Sequence, residues 1–164
     1  MKDFSRNGFQ IRNSPFEVKA IYTGFLVFAA VGYFTLVAIA LTRVGPQYQQ
    51  IVEHYRGTDN GDLFPRPVGQ MLEEMHFHAF IEGIMLLVLT HLFVATSVGR
   101  SFKRTVVALA FAGTFSDLAS PWLIRFAAPG FALLQVTSWV VMTGTAIVLI
   151  GVPLLDMWGK GAKR

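Results

Sequence analysis

A chain of 164 residues that is 53% hydrophobic and 15% charged, with a mean hydropathy of +0.49, is not composed like a soluble domain. The lack of any cysteine excludes disulfides, thiolate-held zinc or copper, cysteine-bound iron–sulfur clusters, c-type haem attachment and thiol nucleophiles. A net charge of +4 and a pI near 9.7 would suit nucleic acid, yet the basic residues flank apolar runs rather than forming a patch interleaved with aromatics, so no nucleic-acid partner is expected.

The chain opens on a polar stretch, "MKDFSRNGFQIRNSPFEVKA", and the apolar run that follows lacks the short core and small-residue cleavage site of a signal peptide. That run, Ala20–Leu41, is the first of four; the others are Phe77–Val98, Thr105–Ile124 and Phe131–Leu155. Each approaches the roughly 20 residues needed to cross a hydrocarbon core of about 30 Å. Lipid offers backbone groups no hydrogen-bond partners, so the segments must be helices, and the expected fold is an all-α, integral membrane four-helix bundle of a single domain.

Lys and Arg at the helix ends predict the orientation. Lys2, Arg6, Arg12, Lys19, Arg100, Lys103, Arg104, Lys160, Lys163 and Arg164 fall on one side; Arg43, Arg56, Arg66 and Arg125 fall on the other. Both termini are therefore expected in the cytoplasm, in a multi-pass protein of a bacterial inner membrane. Tyr22, Trp122 and Trp158 sit where interfacial anchors belong.

Between the first two spans, Arg43–Met75 reads as an ordered outer loop. "PQYQQIVEHYRG" has the apolar spacing of a short amphipathic helix closed by Gly57; "TDNGD" is a turn; "FPRP" is extended; the second long helix should start near Val68.

Three of the four histidines lie on the second span, "EEMHFHAFIEGIMLLVLTH". At 100° per residue its polar groups divide between two meridians. Glu74, His78 and Glu82 follow one another at i,i+4 with Met71 and Met85 on the same stripe, while Glu73, His76 and His91 lie near the opposite side. His76 and His78 belong at the outer mouth, Glu82 a turn or more inside, and His91 about 20 Å below His76. Glu82 and His91 are costly in lipid and should face the bundle or carry a role.

On the third span, "TFSDLASPWLIRF" places Asp117 at about the depth of Glu82. Pro121 lacks the N–H that would bond the carbonyl of Asp117, so a carboxylate, a freed carbonyl, Ser116 and Ser120 gather at one level. Asp117 and Glu82 thus form a candidate proton or cation site, with pairing of Asp117 to Arg125 or Gln135 as the structural alternative. Tyr33 and Trp139 need partners for their polar atoms if buried.

The stretch "HFHAFIEGIMLLVLTH" and the four-span layout resemble small bacterial membrane b-type cytochromes. The resemblance implies haem b held by helix-two histidines, His76 and His91 first, with His78 as alternate. It departs from the pattern in that no other span carries a histidine, so the second ligand would be Met142 on the fourth span or a histidine of a second copy.

Two other readings are open. His54, His76, His78, Glu73 and Glu74 would supply ligands for zinc, copper or iron if they converge at the outer mouth. Glu73–His76 is one Glu-x-x-His unit of the kind used in di-iron bundles, without its second copy. The chain would alternatively be an accessory or assembly subunit with no cofactor, docked by its polar intramembrane residues onto other membrane subunits or a homo-oligomer, with Gly144, Ala146 and Gly151 suiting close helix contact. The leading expectation is a membrane electron-transfer subunit within a larger complex rather than an enzyme on its own.

Overall fold

The computed structural model describes residues 9–159. Lys2, Arg6, Lys160, Lys163 and Arg164, which enter the charge bias above, lie outside the described residues. The chain forms helices α1 (Phe16–Arg43), α2 (Tyr48–Arg56), α3 (Val68–Val94), α4 (Arg100–Phe126) and α5 (Ala132–Trp158), with single 3₁₀ turns at Ile11–Asn13 and Pro129–Phe131. All but α2 are long and apolar enough to cross a membrane, as the apolar runs predict.

The helix limits differ from the apolar runs for local reasons. Pro15 holds an extended backbone, and α1 starts directly after it rather than at Ala20. α3 begins at Val68, as expected, but stops at Val94 rather than Val98. There the Lys103 ammonium donates to the carbonyls of Val94 (2.8 Å) and Thr96 (2.6 Å), satisfying groups that the helix end leaves free.

The segment between α1 and α3 is ordered, as predicted. Gly57 closes α2 with φ of +78°, and a Cβ there would lie 2.5 Å from the carbonyl oxygen of Leu63, so only glycine lets the chain fold back this tightly. The return is pinned by Thr58 N–H to Leu63 O and Leu63 N–H to Thr58 Oγ1, each 3.0 Å.

α5 is the central helix. It packs along α4 and also touches α1, α2 and α3, whereas α1 leans chiefly on α5. Gly113 lets α4 approach closely: a Cβ on it would come within 3.2 Å of Met142 and Val141. Close contact of this kind matters because lipid chains are as apolar as the side chains they replace, leaving packing and hydrogen bonds to hold membrane helices together.

The start of α1 and the end of α5 share one end of the bundle. Asp156, only 6% exposed, accepts bonds from the Ser97 backbone N–H (3.1 Å) and the Ser97 hydroxyl, and pairs with Arg12 at 3.1 Å. Lys19 donates to the carbonyl of Met157 (3.0 Å), and Trp158 donates to Thr23 (2.9 Å).

Buried apolar residues form two separate clusters. Leu26, Ala29, Leu89, Leu92, Phe93, Ala110 and Leu149 fill the half near the termini, while Ile51, Tyr55, Met71, Ile124 and Ala132 form a smaller cluster under α2. On α1, α3, α4 and α5 alike, the polar residues Tyr33, His78, Glu82, Asp117, Ser120, Gln135 and Ser138 occupy the level between them.

Candidate functional site

The polar layer opens onto a cavity of about 660 Å³ between α1 and α3, floored by α4 and α5. Its walls are mostly apolar, with Leu36, Val37, Ala40, Met71, Val136 and Ile147 among them; Tyr33, His78, Asp117, Gln135 and Trp139 supply polar atoms. A volume in the range of about 300–1,000 Å³, apolar lining and a few convergent polar groups are what a small-molecule site requires.

Asp117 is the best-anchored of these groups. Gln135 Nε2 on α5 donates to its Oδ1, and the Ser138 hydroxyl oxygen lies 3.3 Å from the same atom. Ser120 orients the glutamine by donating to its Oε1 (2.6 Å), and lies 3.1 Å from the Asp117 carbonyl that Pro121 leaves free. Of the gathering expected around Pro121, Asp117, its carbonyl and Ser120 come together, with Gln135 rather than Arg125 as the partner; no hydrogen bond joins Ser116 to them among the described residues. The guanidinium of Arg125 stands 5.3 Å from the Phe126 ring instead.

On α3, His78 Nδ1 lies 2.9 Å from Glu82 Oε1. Glu82 is buried, and its Oε2 has no hydrogen-bond partner. Tyr33 donates to Thr143 Oγ1 (3.0 Å), because Thr143 spends its own proton on the Trp139 carbonyl (2.7 Å). Met142 also lines the cavity.

At the mouth, Arg66 donates through Nη1 to His54 Nε2 and through Nη2 to Glu74 Oε1. One guanidinium thus ties α2 to α3. Burial, and then the Arg66 charge, pushes the His54 pKa down to about 4, so the ring is neutral and accepts from Arg66. Burial also pushes Tyr55 well above the usual phenol range.

The two meridians of α3 have opposite fates. Met71, Glu74 and His78 of one stripe line the cavity and its mouth, with Glu82 buried behind His78, whereas Glu73, His76 and His91 are exposed. His91 Nδ1 donates to the Leu87 carbonyl (2.7 Å). His76 and His91 do not enter the bundle; of the expected haem ligands, the cavity brings together only His78 and Met142. Nor do the five mouth ligands converge. His54 and Glu74 are held apart by Arg66, Glu73 and His76 point away, and among the described residues no three His, Asp or Glu side chains gather as a metal site.

Two features escape sequence reasoning. Arg66 looks like one more loop cation, and its bridging role depends on α2 folding back over α3. Asp156 sits between Leu155 and Met157 in an apolar helix; that isolation was the available signal of a buried partner.

No curated protein and no solved structure matches the chain. The sequence model of one family, described as a transmembrane helical domain, matches residues 45–164. The match takes in α2 to α5, and with them every residue of the polar layer except Tyr33. The chain belongs to this family of Aq_1264-type transmembrane helical domains, as an integral membrane, multi-pass, all-helical member.

Proposed function

We propose that this protein is a ligand-holding subunit of membrane electron transfer, which binds a lipid-soluble, proton-coupled redox molecule in the cavity between α1 and α3. The single observation that carries the reading is the presence of two titratable groups, His78 with its Glu82 partner and the anchored Asp117, in the lining of one cavity whose walls are mostly apolar. Titratable groups in water-poor, concave sites are where proton chemistry is placed. The orientation that the basic residues favour puts the cavity in the outer half of a bacterial inner membrane.

Haem b is the second reading, supported by His78 and Met142 lining one cavity. The exposed stripe of Glu73, His76 and His91 supports assembly with other membrane subunits, since polar side chains facing lipid are costly and a neighbouring helix would satisfy them.

The test uses Gly144, which lines the cavity and has nothing within 4 Å of where a Cβ would stand. Gly144→Phe fills the cavity while leaving the polar layer's hydrogen bonds in place. Wild-type protein purified in mild detergent is compared with this variant by oxidised and reduced visible spectra and by mass spectrometry of an organic extract. A redox-active molecule present in the wild type and depleted in the variant supports the proposal. Reduced haem bands lost in the variant move the assignment to haem. Identical, empty extracts overturn it.

A further inference from the structure

The hydrogen-bond directions around the cavity narrow the ligand further; this step rests on the cavity being a redox-ligand site. His78 Nδ1 lies 2.9 Å from Glu82 Oε1, and in the neutral imidazole that donates Nδ1–H to this carboxylate, Nε2 carries the lone pair. Glu82 fixes that tautomer much as a carboxylate does behind a functional histidine. Asp117 is likewise an acceptor. Its Oδ1 takes a proton from Gln135 Nε2, and the amide is held in that sense because its Oε1 accepts from Ser120 at 2.6 Å. A carboxylate has about four acceptor sites, so capacity remains on Asp117 toward the cavity that it lines.

Two acceptors thus face one apolar space. At the level of the polar layer the hydroxyl donors are spent, Tyr33 on Thr143 and Thr143 on the Trp139 carbonyl; the remaining donors, Arg43, Trp122 and the partnerless Nε of Arg66, belong to the other end of the cavity, where the Nη groups of Arg66 bind His54 and Glu74. An acceptor left dry costs free energy, whereas a ligand that brings its own donors gains it. A ligand presenting two acceptors, such as a quinone with its two carbonyls, meets the opposite of what it needs. A flat ring with two hydroxyls meets what it needs, among the aromatic faces of Trp122 and Trp139.

The route of access fits the same class. α1 leans on α5, so the groove between α1 and α3 opens sideways. Its α1 wall is Leu36, Val37, Ile39, Ala40 and Leu41, an apolar surface for a tail that continues into lipid.

We infer that the cavity is a receptor for the reduced, hydroquinone form of a tailed quinone, with one hydroxyl donated to Asp117 and the other to His78, and that it discriminates against the oxidised form. Affinity that depends on donor direction is where polar sites discriminate most strongly, because the wrong partner leaves buried groups unpaired.

The experiment uses the full chain in lipid nanodiscs, titrated calorimetrically with decyl-hydroquinone kept reduced and with decyl-quinone, each corrected for partition into empty nanodiscs. The hydroquinone should bind about tenfold or more tightly than the quinone, an effect of the size of one well-made hydrogen bond to a charged group. Asp117→Asn, which keeps an oxygen for Gln135 but turns one acceptor into a donor, should bring the two affinities within about threefold, and His78→Gln should do likewise. Gly144→Phe should abolish binding of both. Equal affinities in the wild type, a preference for the quinone, or an undiminished ratio in both Asp117→Asn and His78→Gln would overturn the inference. If neither form binds and Gly144→Phe displaces a co-purified redox molecule of another class, the hydroquinone assignment falls and the broader reading stands. If neither binds and nothing is displaced, both fall.

Discussion

Gln135 on α5 donates its amide N–H to the carboxylate of Asp117 on α4, and the contact joins the two helices at the level where polar groups replace the apolar core. Removing the donor leaves the carboxylate with a weaker shell. Gln135→Leu should destabilise the bundle by about 1–2 kcal/mol, between the values typical of membrane hydrogen bonds and of bonds to charged groups. Thermal unfolding in detergent checks this; an unchanged midpoint would show that Ser138 or water replaces the amide.

Arg66 should matter locally more than globally. Its Glu74 partner is 47% exposed, so the ion pair is worth about 0–1 kcal/mol. Arg66→Ala is expected to leave the unfolding midpoint nearly unchanged while hydrogen exchange across residues 47–67 accelerates several-fold. Unaltered exchange there would mean that the packing of Ile51 and Tyr55 alone holds α2 down.

His54 gives the loop a pH dependence of known sign. Its folded pKa of about 4 is below the unfolded value of 6.5, so folding favours the neutral ring. The stabilisation is complete above pH 6.5 and is lost as pH falls from there toward about 4. The ring resonances of His54 should therefore not titrate between pH 5.5 and 8, and protection of residues 47–67 should decline as pH falls below 6.5. A His54 titration near 6.5 would contradict the buried, Arg66-bound ring.

Asp156 should be the most sensitive position at the terminal end. Asp156→Ala strips the acceptor from Arg12 and from both groups of Ser97, at a cost of about 2–3 kcal/mol. Arg12→Ala, whose side chain is 43% exposed, should cost less than about 1 kcal/mol. Comparable losses from the two substitutions would indicate that the ion pair, rather than the Ser97 bonds, secures this end.

What the sequence determined by itself was the part that the bilayer dictates. Four runs of apolar residues must become helices because lipid leaves backbone groups no other partner, and glycine and proline at Gly57, Pro15 and Pro67 punctuate them wherever they pack. The wheel of α3 also separated Glu74, His78 and Glu82 from Glu73, His76 and His91. Which meridian faced inward was not legible, because α3 is apolar nearly all round: a spanning helix meets lipid on one side and protein on the other, and both favour the same side chains. Tertiary packing made that choice. α3 sits against α4 and α5 so that His78 reaches the cavity while His76 and His91 face out, and the same packing delivers Gln135 to Asp117 and Arg12 to Asp156. Each of those pairings joins residues from different elements, whose proximity depends on how helices assemble rather than on any periodicity within one.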